Sequence, residues 1–137
     1  YLKTRLAEYG GTIVEIGAGN GRLAFFLQQR GVPIVATDDC SWKLDATHDE
    51  KSRRDVKIHD LPCDQALATY SPSIVVCAWM PMYNDFTASF CATPSVKEYI
   101  LIGPAPLCGH AFDTWGFHGT TDPIYARFGF TRTPLLE

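Results

Sequence analysis

Apolar positions fall in short runs separated by glycine, proline or charged residues. The stretch Thr12-Ile13-Val14-Glu15-Ile16 is mostly apolar and β-branched, the pattern of a short buried strand. Gly17, Gly19 and Gly21 follow at alternate positions, and then Leu23, Phe26 and Leu27 fall at helical spacing until Gly31 and Pro33 end the pattern. These positions predict a strand, a tight glycine turn and a helix. A second strand spans about residues 33–38 and ends in Asp38-Asp39. Val56 to Asp60 alternates as a third strand, and Cys63 to Tyr70 reads as a helix. Ser73 to Ala78, introduced by Pro72, is the clearest buried strand, and Glu98 to Gly103 reads as a fifth. Near the start, Leu2, Leu6 and Tyr9 share one face of a helix that Gly10-Gly11 ends. Near the end, Asp122-Pro123 opens a short helix with proline in its first turn, and Phe128 to Leu136 reads as a last strand.

Three polar or irregular stretches separate these elements. Ser41 to Asp55 carries a mixed charge run and reads as a solvated connection, in which Ser41 can cap a short helix. Trp79 to Phe86 is rich in aromatic and sulfur-bearing side chains. Gly103 to Gly119 is long for a connection in a compact domain, and such loops are often functional; it carries His110, Asp113, Trp115 and His118. Strands alternating with helices predict an α/β fold, a single domain over residues 1–137 with a central mostly parallel sheet and helices on both faces.

The chemistry concentrates at the strand tips. Glycines after the first strand permit unusual backbone angles and close approach of a ligand, and the N–H groups at the following helix start favour an anionic group. A carboxylate at the tip of the second strand, Asp38 with Asp39 beside it, can accept hydrogen bonds from both hydroxyls of a ribose.

Glu15-Ile16-Gly17-Ala18-Gly19-Asn20-Gly21 resembles the first motif of class I S-adenosylmethionine-dependent methyltransferases, an acidic residue followed by G-x-G-x-G. Asp38 stands where that family places its ribose-binding acid. The resemblance covers roughly residues 10–103 and is strongest over 12–39. It implies a three-layer Rossmann-like fold and S-adenosyl-L-methionine as cofactor. The methionine part would lie near Gly17, Ala18, Gly19 and Gly21, with Glu15 near its amino end. The family's adenine-reading acid and the main-chain N–H after it match Asp60 and Leu61, although Asp60 reads equally well as the start of a turn. In an open parallel sheet the ligand crevice lies at the carboxyl ends of the strands, so the 79–86 loop would overlook the transferred methyl group. Trp79 or Tyr83 could face the cationic sulfur; the competing reading packs Trp79 and the methionines into the core, Met82 above all. Amine-methylating members carry Asn/Asp-Pro-Pro-aromatic at this point, whereas Trp79-Met80-Pro81-Met82 lacks the side-chain acceptor at the first position. An acceptor that must lose a proton needs a base, for which Tyr83, Asp85 and His110 are the candidates. The elements fall short of that family's full sheet, and the final hairpin is the part in doubt.

Composition narrows the partners. The chain has 137 residues, 46% hydrophobic and 20% charged, which is globular. A net charge of −3 argues against a broad nucleic-acid-binding face. No apolar run is long enough to cross a bilayer and no signal-peptide pattern opens the chain. The 5 cysteines include no C-x-x-C pair, which argues for reduced thiols in the cytoplasm and against a metal site. The first expectation is therefore a methyltransferase acting on a small molecule or a protein. The second is a catalytically silent scaffold that keeps this fold. The third is a nicotinamide dinucleotide oxidoreductase, opposed by Arg22 where the G-x-G-x-x-G fingerprint needs glycine or alanine.

Overall fold

The computed structural model describes residues 1–42 and 55–135. The elements are α1 (Leu2–Tyr9), β1 (Ile13–Ile16), α2 (Arg22–Gln29), β2 (Ile34–Asp38), β3 (Ile58–Asp60), α3 (Cys63–Tyr70), β4 (Ile74–Ala78), α4 (Thr87–Ala92), β5 (Glu98–Ile102) and α5 (Ile124–Arg127), with a 3-10 turn at Ala105–Leu107. The five strands form one open sheet in the order β3-β2-β1-β4-β5. Every neighbouring pair is parallel. The architecture is an α/β Rossmann-like fold, in which each parallel pair requires a crossover and helices come to cover both faces. The polar connection at 43–54, with its charge run, lies outside the described residues.

β1 is the middle strand and all four of its residues are buried. Alternation sends Ile13 to one face and Val14 and Ile16 to the other. On the first face Ile13, Ile34, Ala36, Ile74 and Val76 meet Ala24, Leu23 and Leu27 of α2 and Leu2 and Leu6 of α1. On the second, Val14, Val75 and Cys77 meet Ala66 and Leu67 of α3, Phe90 of α4 and Trp115. A central strand buried on both sides reads as a continuous apolar run, and Glu15 is the one interruption. α1 is tied to the edge strand β5 by Arg5 Nε, which donates to Glu98 Oε2 at 2.7 Å.

The C-terminal segment departs from expectation. Among the described residues there is no strand over 128–135, and Leu136 lies outside them. The backbone of this stretch is spent on closing α5: Gly129 N–H donates to Ala126 O at 3.0 Å and Phe130 N–H to Tyr125 O at 2.9 Å. Of the alternating aromatics, Phe130 belongs to a packing contact, its ring 5.5 Å from that of Tyr99, while Phe128 is exposed. Arg132 then lies over the rings of Trp115 and Phe117 and donates to Trp115 O at 3.0 Å. Pro123 sits at the N-cap of α5 in an extended conformation, one position before the first turn. α4 has no counterpart in the apolar pattern; it starts where Asp85 Oδ1 accepts the Thr87 N–H at 2.8 Å.

All 5 cysteines are free thiols, three of them buried. No helix among the described residues is long and apolar enough to cross a membrane.

Candidate functional site

Strand order reverses between β1 and β4, since β2 and β3 build outward from one and β5 from the other. In open parallel sheets the carboxyl ends at such a switch point form the ligand crevice. Here that position holds a cavity of about 450 Å³, within the roughly 300–1,000 Å³ usual for small-ligand sites. Glu15 and Gly17 line it from the tip of β1, Ala18, Gly19 and Asn20 from the turn, and Arg22, Leu23 and Phe26 from α2. Ala78, Trp79 and Ile102 line it from the tips of β4 and β5. A larger hollow of about 630 Å³ lies between α3 and α4, near Ser71 and Ser95 at the opposite ends of the strands, and carries Asp64 as its one charged lining residue. The smaller cavity is the one built from the glycine turn.

The turn is held from two sides. Ala18 N–H donates to Thr37 O at 2.9 Å and Gly19 N–H to Asp38 Oδ2 at 2.8 Å, so the tip of β2 fixes the loop. Gly17 has φ 72° with nothing within 4 Å of the place a Cβ would occupy, and it borders the cavity. Gly21 has φ 73°, and a Cβ there would stand 2.4 Å from Val56 Cγ1. Gly17 therefore serves the open side of the turn, and Gly21 its close approach to the segment leading into β3.

Glu15 is the unusual group among the residues that line the cavity. It is 1% exposed, yet it lines the cavity. Its carboxyl accepts the backbone N–H of Ala24 in the first turn of α2. Its Oε2 is buried with no hydrogen-bond partner among the described residues. Burial pushes the carboxyl up to about 7, the Ala24 bond opposes this, and the charge of Asp38 adds to the rise.

The remaining expected cofactor residues lie beside the cavity and do not line it. Both carboxylate oxygens of Asp38 accept main-chain N–H groups, Oδ2 from Gly19 and Oδ1 from Cys40 at 2.7 Å. Asp39 is exposed and accepts the Ser41 N–H at 3.0 Å, which lowers its carboxyl from the ordinary value. Asp60 is exposed and stands opposite Asp38 in register. The Leu61 N–H, expected at a ring nitrogen, donates to Asp38 O at 2.9 Å just past the end of β3.

The loop after β4 separates its residues sharply. Met80 is buried in the core, whereas Trp79 and Met82 are not, against the reading that packs them all under the loop. Trp79 is 67% exposed at φ 57°, with its N–H donating to Ile102 O at 2.7 Å. A left-handed backbone costs an L-residue about 1–2 kcal/mol, and a bulky side chain held there is an outlier that invites a functional explanation. Tyr83 is more exposed still, and its N–H donates to Gly109 O at 2.9 Å, joining this loop to the long loop after β5.

None of the three candidate bases lines the cavity. Tyr83 points to solvent. Asp85 accepts both the N–H and the hydroxyl of Thr87, at 2.8 and 2.5 Å, and starts α4. His110 Nδ1 accepts the Asp113 N–H at 3.2 Å within its own turn, with Asp113 Oδ2 3.5 Å away. Arg22, Phe26 and Ile102 are cavity residues that the motif did not single out. The first two follow the glycine turn at a helical spacing of four, and Ile102 stands opposite Ala78 in register, so position relative to the strand tips was the available signal. No protein-family model, no curated protein and no solved structure matches this chain.

Proposed function

We propose that the chain is a methyltransferase that binds S-adenosyl-L-methionine at the β1/β4 switch point. The observation that carries the reading is that Glu15 lines the cavity beside the glycine turn while its Oε2 is buried and unpartnered among the described residues. A buried polar atom without a partner costs stability, and a ligand ammonium would satisfy it. The open side of Gly17 fits a main chain that a ligand approaches closely. Asp38 fits the ribose-binding role once its carboxylate trades one of its two main-chain donors for a hydroxyl.

When bound, the cofactor supplies a methyl group on a cationic sulfur. The protein contributes alignment and shielding. Glu15 holds the ammonium, Gly17 to Gly19 admit the amino-acid part, Asp38 the ribose, and Trp79 turns an exposed ring toward a cationic centre. Holding two reactants in line is worth roughly 7–11 kcal/mol of barrier. Phe26, Trp79 and Ile102 give the mouth three exposed apolar side chains from three elements, which suits a small acceptor with an apolar face.

A silent binding subunit is the second reading. It is favoured by the local engagement of Asp85 and His110 and by the spent N–H of Leu61. Calorimetric titration with S-adenosylmethionine and S-adenosylhomocysteine, with NAD as control, tests the proposal. Micromolar binding of the adenosyl ligands, weakened in Asp38→Ala, supports it; a folded chain that binds neither overturns it. Binding without transfer to any of a panel of thiol, phenol and amine acceptors leaves the silent subunit.

A further inference from the structure

Among the described residues, nothing satisfies the second oxygen of Glu15. The Ala24 N–H at the start of α2 favours the charged form of its carboxyl, and Glu15 lines the cavity with its Oε2 buried and unpartnered among the described residues. The described groups around it do not neutralise a charge there. From β2 comes Asp38, a second carboxylate, which raises the Glu15 carboxyl further. From β4 comes Val76, paired with Glu15 in register and unable to ionise, while the Cys77 thiol lies on the other face of the sheet. From α2 comes Arg22, which lines the same cavity but is not among the groups that move the Glu15 carboxyl. The turn and β5 contribute Asn20 and Ile102, which do not ionise. An unpaired charge in such a place is expensive, and a carboxyl so placed keeps its proton until a cation arrives.

Resting on the proposed function, we infer that the floor of the cavity takes one ligand ammonium in exchange for a proton, with Glu15 as the group that releases it. The ammonium arrives already protonated, the proton leaves Oε2 for solvent, and the carboxylate so formed is paired at once. No covalent bond changes. The site thereby selects ligands carrying an amine next to the adenosyl part, and its affinity for them climbs as pH rises toward neutrality. Ligands without the amine bind with no such dependence.

Two measurements test this on the intact chain. The first needs no adenosyl ligand: the Glu15 carboxyl carbon is followed by NMR against pH, alone and with ethylammonium. The expected midpoint lies near 7, well above a surface glutamate, and falls when ethylammonium is added. An ordinary midpoint, or one that ethylammonium does not move, overturns the inference whatever the chain's activity. The second is calorimetry with S-adenosylhomocysteine in two buffers of different ionisation enthalpy. Below the midpoint, proton release approaching one per ligand and affinity rising about tenfold per pH unit are expected. Methylthioadenosine, which lacks the ammonium, should show neither. Glu15→Gln keeps the shape of the protonated side chain and should abolish both effects while the chain stays folded. Tight, pH-independent binding of S-adenosylhomocysteine would leave the methyltransferase reading standing and sink the proton exchange. An NMR response to ethylammonium without adenosylhomocysteine binding would do the reverse.

Discussion

The N–H of Gly19 donates to Asp38 Oδ2 at 2.8 Å, so the glycine turn after β1 and the acid at the tip of β2 form one unit. Asp38 is thereby a structural acceptor as well as the expected ribose ligand, since its other oxygen takes the Cys40 N–H. Asp38→Ala should cost about 1–3 kcal/mol of stability by leaving two N–H groups unpaired, and should weaken S-adenosylhomocysteine about tenfold or more. Asp38→Asn keeps one carbonyl oxygen and should lose less stability than affinity. Urea unfolding and calorimetry on both variants separate the roles. Equal losses of stability with unchanged affinity would reduce Asp38 to a structural acceptor.

Gly17 and Gly21 both have positive φ, but they differ in what surrounds them. Gly21→Ala would drive a Cβ to 2.4 Å from Val56 Cγ1 and should cost about 2–4 kcal/mol, backbone strain and crowding together. Gly17→Ala meets nothing within 4 Å and should cost only the backbone term, about 1–2 kcal/mol, yet it should impair ligand binding more because the methyl group borders the cavity. Denaturant midpoints and affinities of the two variants should therefore rank in opposite orders. The same ranking in both assays would mean that the cavity is not where the ligand sits.

Glu15 makes stability depend on pH in a direction opposite to that of a salt-bridged carboxylate. Burial raises its carboxyl from 4.5 to about 7, so the folded chain holds the proton more tightly than the unfolded one. The contribution is complete below 4.5 and is lost as pH rises through about 7. Its full extent is on the order of 3 kcal/mol. Unfolding free energy measured across this range should fall with pH in the parent chain, and the fall should flatten in Glu15→Gln. An unchanged slope in the variant would assign the dependence to another group.

Trp79 occupies a left-handed conformation while its ring is 67% exposed. Glycine there relieves the backbone and surrenders little burial, so Trp79→Gly should leave the chain as stable or raise its stability by about 1 kcal/mol. If the ring faces a cationic sulfur, the same change should weaken S-adenosylmethionine more than S-adenosylhomocysteine, whose sulfur is neutral, by about threefold. Thermal unfolding with paired titrations measures both effects. Equal weakening of the two ligands would remove the cation–π role.

The strands, the glycine turn and α1 to α3 were legible in the chain because each rests on local periodicity: β-branched runs for β1, β2 and β4, and leucines at helical spacing for α2. Phe128 to Leu136 misled because alternating apolar residues look alike whether they enter a ladder or, as with Phe130 on Tyr99, fill an aromatic contact after a helix end. α4 was illegible for a related reason: its start is set by Asp85 reaching Thr87, a two-residue contact with no periodic trace. Around the cavity, sequence alone singled out Glu15, Gly17 and Gly19, which line it, and Asp38, which holds the turn, since their spacing encodes a strand-turn-helix unit and the next strand's tip. What each group is free to do was decided by tertiary structure. The carbonyl of Asp38 took the Leu61 N–H, local turns took Asp85 and His110, and the reversal of strand order brought Arg22, Phe26, Trp79 and Ile102 around Glu15. The bond between Leu61 and Asp38 and the strand order join residues far apart in the chain, whereas the local turns rest on short side-chain contacts without period, and that is why no periodic pattern records either.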